Sequence, residues 1–202
     1  MNPHPIGRIG SHHSRRVGTS RARWACVLLA GLTLTGCSTL ASPTPDQEVD
    51  GGEVDAAVVR VIDGDTIAVE PSSALPATSE DGAEHVVRVL GIDAPEMHYT
   101  DDTEPDCGAQ EATDYLDELL VPGAAVTLVH DSEADEIDRY GRTLAYVELE
   151  TAGDVGELLV ANGYAAAWHP QGEPEPDRFS AYQESMAEAR AAGAGSWEHC
   201  TP

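Results

Sequence analysis

What most constrains the fold is a set of five β-type runs, none longer than nine residues, with one helical stripe between the third and the fourth. "VDAAVVRVI" and "DTIAVE" meet at Asp63-Gly64, a hairpin signal because glycine accepts the positive φ of a tight turn. The surface loop "PSSALPATSEDGA" leads to a third strand, "EHVVRVLGI". "AQEATDYLDELL" then places Ala112, Tyr115, Leu116, Leu119 and Leu120 at helical spacing, and Pro122 closes that helix. "AAVTLVHD" and "RTLAYVELE" are strands four and five, joined through "SEADEIDRYG". "DVGELLVANG" reads as a short helix begun by Asp154 and stopped by Gly163, and "DRFSAYQESMAEARAAG" as a longer one begun near Asp177.

Three strands, a helix, two strands and two helices suit an α+β, mainly β class: a five-stranded OB-type Greek-key barrel with about three helices. With 202 residues there is room for a short export segment and one core.

Residues 1–36 hold five arginines and no acid, and the apolar run "WACVLLAGLTLTG" from Trp24 is too short for a spanning helix. They read as a secretory signal. The run ends in "LTGC", Leu34 to Cys37, which resembles the bacterial lipoprotein box. That resemblance implies a signal peptide over 1–36, a lipidated Cys37 and a membrane-anchored, exported protein at the outer face of the cell membrane. An ordinary cleaved secretory signal is the alternative. Residues 37–53, rich in Ser, Thr, Pro, Gly and acids without apolar periodicity, read as a tether, and 54–202 as the domain.

Beyond residue 36, six of the 11 basic residues remain against all 36 acids, a net charge of −30, and none of the six is lysine. Such a field repels polyanions at long range, so nucleic-acid binding has to be won locally. With Cys26 in the signal and Cys37 at the lipid site, Cys107 and Cys200 remain as a disulfide pair in an oxidising compartment, or as two separate thiols. For a loop of that length, chain-entropy reasoning gives about 4–5 kcal/mol of stabilisation.

Three clusters carry chemistry. In "VIDGDT", Asp63 and Asp65 are either turn residues or hard oxygen donors for a divalent cation, of which calcium best tolerates irregular geometry. In "RVLGIDAPE", Pro95 ends a strand that stops in Asp93 and Glu96, which cap a turn and face solvent unless they belong to a site. Alternation puts Arg88 on the face of Leu90 and Ile92, and an inward guanidinium needs an anion: a carboxylate partner or a bound phosphate. "DRYGR", Asp138 to Arg142, places two of the six arginines in one loop, a solvated turn or a phosphate grip. His98 and His130 have no ligand-like spacing and read as surface residues.

"VIDGDT", "RVLGIDAPE" and "DRYGRTLAYV", in this order, resemble the three motifs of the staphylococcal (thermonuclease-type) nuclease family, and "GAQEA" and "LLVANGYA" match its first two helices. The resemblance covers roughly Val54 to Trp197. It implies a calcium-dependent phosphodiesterase cutting DNA and/or RNA with little sequence specificity and leaving 3′-phosphates. Asp65 and Asp93 would ligate calcium by their side chains and Ala94, where the family usually has threonine, by its backbone carbonyl, with Asp63 behind them. Glu96 would activate the attacking water, and Arg88 and Arg142 would grip the scissile phosphate. Arg139 stands where the family often has lysine, beside Tyr140 at the substrate. The family's stacking tyrosines have no clean counterpart among Tyr164, Trp168 and His169; Trp168 either stacks on a base or packs.

A lipid-anchored, monomeric nuclease acting on DNA or RNA is the reading that accounts for both arginines, the acid and the carboxylates together. A non-catalytic OB-type module binding nucleic acid or protein at the envelope is the alternative. An acidic calcium-binding surface lipoprotein would explain the charge but not Arg88 and Arg142.

Overall fold

The computed structural model describes residues 52–75, 84–99 and 103–200. The expected signal, Cys37 and all but the end of the tether lie outside them. β1 (Glu53–Asp63) starts one residue before the expected boundary, and the Gly52 carbonyl accepts from the His130 N–H at 2.8 Å. β1 pairs antiparallel with β2 (Thr66–Pro71), and β2 with β3 (His85–Val89). β1 also pairs with β5 (Ala125–Val129), and β5 with β6 (Thr143–Leu149), both antiparallel. A parallel pairing of β3 with β6, Val87 opposite Thr143 and Val89 opposite Ala145, closes the circuit. The result is the expected five-stranded barrel of OB type.

Inward positions alternate as period two requires. Val54, Ala56 and Val58 on β1, Val87 and Val89 on β3, and Val126 and Leu128 on β5 are buried. The β1–β2 register slips after Val58 and again after Val61, so the alternation is lost where β1 approaches the turn. Helix α1 (Ala109–Leu119) contributes Leu116 from its apolar stripe, and α2 (Val155–Ala161) contributes Val155 and Leu159. Each such leucine, removed fully from water, contributes about 1.5–3 kcal/mol. Asp154 starts α2 as expected, its carboxylate accepting from the Glu157 N–H. α3 (Phe179–Ala192) begins just after Arg178 and ends at Gly193, whose φ of 64° stops it.

Two expectations about the strands are corrected. The third strand does not run through Ile92: it ends at Val89, and the chain turns at Gly91, φ 81°, where an added Cβ would lie 3.1 Å from the Tyr182 ring. Ile92–Asp93 restarts as β4, paired with β8 (Ala166–Ala167) in a separate two-stranded sheet. A further short strand, β7 (Gly153–Asp154), extends β6. The second correction concerns Gly64, which is absent from the positive-φ glycines. Packing, not φ, requires glycine: a Cβ there would meet the Cβ atoms of Ala112 and Ala94 at 2.8 Å. The hairpin thus lies directly against α1 and the start of the loop after β4.

Cys107 and Cys200 are joined, bringing the end of the chain onto the start of α1. His130 departs from the surface reading: it is half-buried at the end of β5, with both ring nitrogens covered. His98 is exposed and lies 3.1 Å from an Asp106 carboxylate oxygen.

Candidate active site

On β3, Val87 and Val89 are fully buried toward the barrel interior, so the pleat turns Arg88 to the opposite face. That face is covered as well, and Arg88 is only 8% exposed. Its Nη1 donates to the Val89 and Ile92 carbonyls, both at 2.8 Å. Its Nη2 lies 2.9 Å from Asp65 Oδ2 and 2.9 Å from Asp93 Oδ1. The break at Gly91 makes this possible by folding the Ile92 carbonyl and Asp93 back over the guanidinium.

Asp65, 3% exposed, also accepts from the Ala94 N–H at 2.8 Å and from the Thr66 hydroxyl at 3.0 Å. Its neighbour Asp63 is half-buried and accepts from the Asp65 N–H at 3.3 Å. Burial pushes the Asp65 carboxyl up to about 7, against the pull of Arg88, Ala94 and Thr66. Burial raises Asp93 too, again opposed by Arg88. Two carboxylates therefore converge on one cationic nitrogen and still carry uncompensated burial cost. The donor chemistry, hard carboxylate oxygens, is of the kind calcium takes, and the two oxygens that converge here are paired with Arg88 Nη2.

Arg142 enters from the loop before β6. Asp138 Oδ2 accepts from its Nε at 2.6 Å, and Arg142 Nη1 lies 3.4 Å from the Thr66 hydroxyl. Arg139 and Tyr140 are exposed beside it, with Arg139 Nη2 donating to the Tyr140 hydroxyl at 2.6 Å.

A groove of about 980 Å³ collects these groups: Arg88, Asp93, Glu96, Arg139, Tyr140, Arg142 and Trp168 all line it. Its walls are the loop from Ser132 to Tyr140 and the strap from Trp168 to Pro176. Asp63, Asp65 and Ala94 do not line it. Asp65 lies beneath Arg88, and Ala94 faces a smaller hollow of about 420 Å³ that shares Asp93 and Glu96 with the groove. Of the three aromatic candidates, Tyr164 stacks on Tyr115 at 4.6 Å and His169 packs edge-on against Phe179, while Trp168 stays half exposed in the groove.

Sequence reasoning gave no role to Asp138, Thr66 or Asp106. Asp138 was visible as the acid four residues before Arg142, and Thr66 as the end of "VIDGDT". Nothing local marks Asp106, whose N–H donates to the Glu96 carbonyl at 2.9 Å. Cys107, His199 and Cys200 also place ligand atoms within 4.8 Å of one another, but the two sulfurs are bonded and offer no thiolate to a metal.

The chain is 33% identical over 155 residues to endonuclease YhcR of Bacillus subtilis (strain 168), a match covering 75% of this chain and 12% of that protein. It is 40% identical over 92 residues to the thermonuclease of Staphylococcus hyicus, covering 46% of this chain and 47% of the relative. The thermonuclease of Staphylococcus intermedius matches at 37% over 95 residues, with the same shares. The chain therefore spans under half the length of these relatives. Residues 86–199, from the middle of β3 to the residue before Cys200, match the family described as staphylococcal nuclease homologue, and the chain belongs to that family.

Proposed function

We propose that this protein is a calcium-dependent nuclease that hydrolyses phosphodiester bonds of DNA or RNA with little sequence specificity and leaves 3′-phosphates. The observation that carries the reading is the meeting of Glu96, Arg88 and Arg142 in one groove, beside carboxylates that converge on a single cationic atom. Relatives named thermonuclease and endonuclease support the same chemistry.

Bound calcium, held by Asp65, Asp93 and the Ala94 carbonyl, would supply a positive centre that neutralises phosphate charge. Glu96 stands exposed at the groove and takes the proton of the attacking water. Negative charge then grows on the equatorial phosphate oxygens, where Arg142 meets it with charge-assisted hydrogen bonds from its Nη groups, while Arg88, its own Nη groups held by the Val89 and Ile92 carbonyls and by Asp65 and Asp93, adds positive charge at the groove wall. Arg139 and Tyr140 hold the flanking backbone, and Trp168 offers a face on which a base stacks. The 5′ oxygen departs, takes a proton from solvent water and becomes a hydroxyl, which leaves the phosphate on the 3′ side.

The protein acts, on this reading, as a monomer, exported and anchored through lipidated Cys37 at the outer face of the cell membrane. The basic start, the apolar run and the box ending in Cys37 support that. Incubating the full chain with DNA and with RNA, with calcium or with a chelator, tests the activity. Cleavage that needs calcium and leaves 3′-phosphate ends is expected, and undiminished cleavage in excess chelator overturns the metal assignment. Labelling with a radioactive fatty acid, present in the natural chain and lost in Cys37→Ala, tests the anchor.

A further inference from the structure

Glu96 lies on an exposed segment just after β4, outside any helix or strand, where a carboxylate needs something else to hold it in place. The structure supplies two backbone attachments, both from one residue. The Asp106 N–H donates to the Glu96 carbonyl at 2.9 Å, and the Glu96 N–H donates to Asp106 Oδ2 at 3.3 Å. His98 Nε2 lies 3.1 Å from the other carboxylate oxygen of Asp106 and fixes its rotation. Asp106 is itself exposed, so these bonds face competition from water unless its backbone is anchored elsewhere.

The anchor is the next residue. Cys107 is bonded to Cys200, and the Cys200 N–H donates to the Ser196 carbonyl at 2.8 Å. The Ser196 N–H in turn donates to the carbonyl of Gly163, just past the end of α2, at 3.1 Å. Ser196 also packs against Gly108 so closely that a Cβ there would lie 2.5 Å from its hydroxyl oxygen. A continuous covalent and hydrogen-bonded path thus runs from α2, through the disulfide, to the backbone of Glu96.

We infer that Asp106, held by the Cys107–Cys200 disulfide, is the positioning residue for Glu96, so that the segment around Cys200 sets the geometry of the catalytic carboxylate. The inference rests on the role proposed above for Glu96. Opening the disulfide leaves Arg88, Asp65 and Asp93 in place, because their contacts belong to the barrel and to β4. What changes is the placement of the base. The loss therefore falls on turnover rather than on substrate binding, by about ten- to a hundredfold, as expected when a reacting group is displaced by an ångström or so.

The test compares the oxidised full chain, Cys107→Ser/Cys200→Ser, Asp106→Ala, Asp106→Asn and Glu96→Gln at saturating calcium. Reduction of the natural chain with a dithiol gives a second route to the open form: the dithiol gives up two electrons and two protons and closes into its own disulfide as Cys107 and Cys200 become thiols. The expected result is a fall in kcat of at least about tenfold with KM within about twofold for the open chain and Asp106→Ala. Asp106→Asn, which keeps an oxygen acceptor for the Glu96 N–H, recovers most of the rate. Hydrogen exchange at the Asp106 amide, read without substrate, accelerates by at least about tenfold when the disulfide is opened.

Unchanged kcat and unchanged amide exchange in the open chain, with Glu96→Gln inactive, overturn the inference and leave the nuclease reading standing. Full activity in Glu96→Gln instead overturns the role of Glu96 itself. If the serine pair does not fold, the Asp106 variants decide the matter with the disulfide intact.

Discussion

Asp138 holds Arg142 by side chain and backbone at once. Its Oδ2 accepts from Arg142 Nε at 2.6 Å, while its Oδ1 accepts the Arg142 and Tyr140 N–H groups, each at 2.9 Å. The pairing occupies the Nε edge, and on the Nη edge the Thr66 hydroxyl lies 3.4 Å from Nη1.

Arg88→Ala and Arg142→Ala should each lower kcat by roughly a hundredfold or more, because each removes a contact that strengthens as charge develops on the phosphate. Arg142→Lys should not restore the rate, since an ammonium cannot donate as a planar fork. Steady-state kinetics with a folded-state check by circular dichroism measures this. Near-normal turnover in folded Arg88→Ala protein would refute the assigned role.

Acid should destabilise the fold through Asp131 and Asp138. Burial pushes both carboxyls up, but hydrogen bonds outweigh it, from the Tyr146 hydroxyl and the Glu133 and Asp177 N–H groups at Asp131 and from Arg142 and Tyr140 at Asp138. Both end below the usual carboxylate value. A depressed carboxylate contributes stability that is fully present above the unfolded pKa, near 4, and disappears as pH falls through the lower folded value. Urea unfolding from pH 6 down to 2 should therefore show a flatter acid limb for Asp131→Asn than for the natural chain. Parallel acid limbs would show that Asp131 is not linked to folding.

Gly64→Ala should cost about 1–3 kcal/mol, the usual penalty for overpacking, since its Cβ would press on Ala94 and Ala112. The Asp93–Ala94 segment would shift with it, so calcium affinity measured by titration calorimetry should fall together with the urea midpoint. A midpoint equal to that of the natural chain would mean that the hairpin has slack.

Reducing the disulfide should lower the melting temperature by an amount consistent with about 4–5 kcal/mol of lost loop constraint. Differential scanning calorimetry with and without a dithiol reads it directly. Identical melting curves would leave the bridge with no part in stability.

Salt should act in two directions. The −30 charge of residues 37–202 repels an approaching polyanion, a repulsion screened beyond about 10 Å at 0.1 M. Contacts of Arg88, Arg139 and Arg142 with phosphate weaken as salt rises, by a slope of about −0.9 per phosphate on duplex DNA. At saturating calcium, kcat/KM on an oligonucleotide should rise from low to moderate sodium chloride before it falls. A dinucleotide substrate, which senses less of the long-range field, should show a smaller rise. A steady fall for both substrates would mean that the acidic surface does not limit encounter.

Barrel class, helix α1 and both hairpin aspartates were legible in the sequence because period-two alternation, the apolar stripe and Asp-Gly are local signals. The break at Gly91 was not, because an apolar run gives no sign that the chain turns at Gly91 with φ 81° against the ring of Tyr182, far along the chain. For the same reason alternation placed Arg88 with Leu90 and Ile92, although the pleat ends one residue after it. Arg88 was correctly marked as needing an anion, yet its partners proved to be the same two aspartates assigned to the metal. Gly64 was read for its backbone freedom when its lack of a side chain was what mattered. Asp131 and Arg178 carry no motif, and Tyr146 reads only as a strand residue of "DRYGRTLAYV"; that the three tie the loop beginning at Asp131 to the end of the Trp168–Pro176 strap becomes visible only once both walls of the groove are in place.

The parallel pairing of β3 with β6 sets when activity can appear. It places Arg88 opposite Leu144, two residues beyond Arg142, and joins segments separated by all of α1 and β5. Contacts between such distant segments carry a loop-closure cost that a hairpin does not. Arg88 and Arg142 therefore meet only when the barrel closes, and a chain that has formed its hairpins but not this pairing holds both guanidiniums without the groove they share.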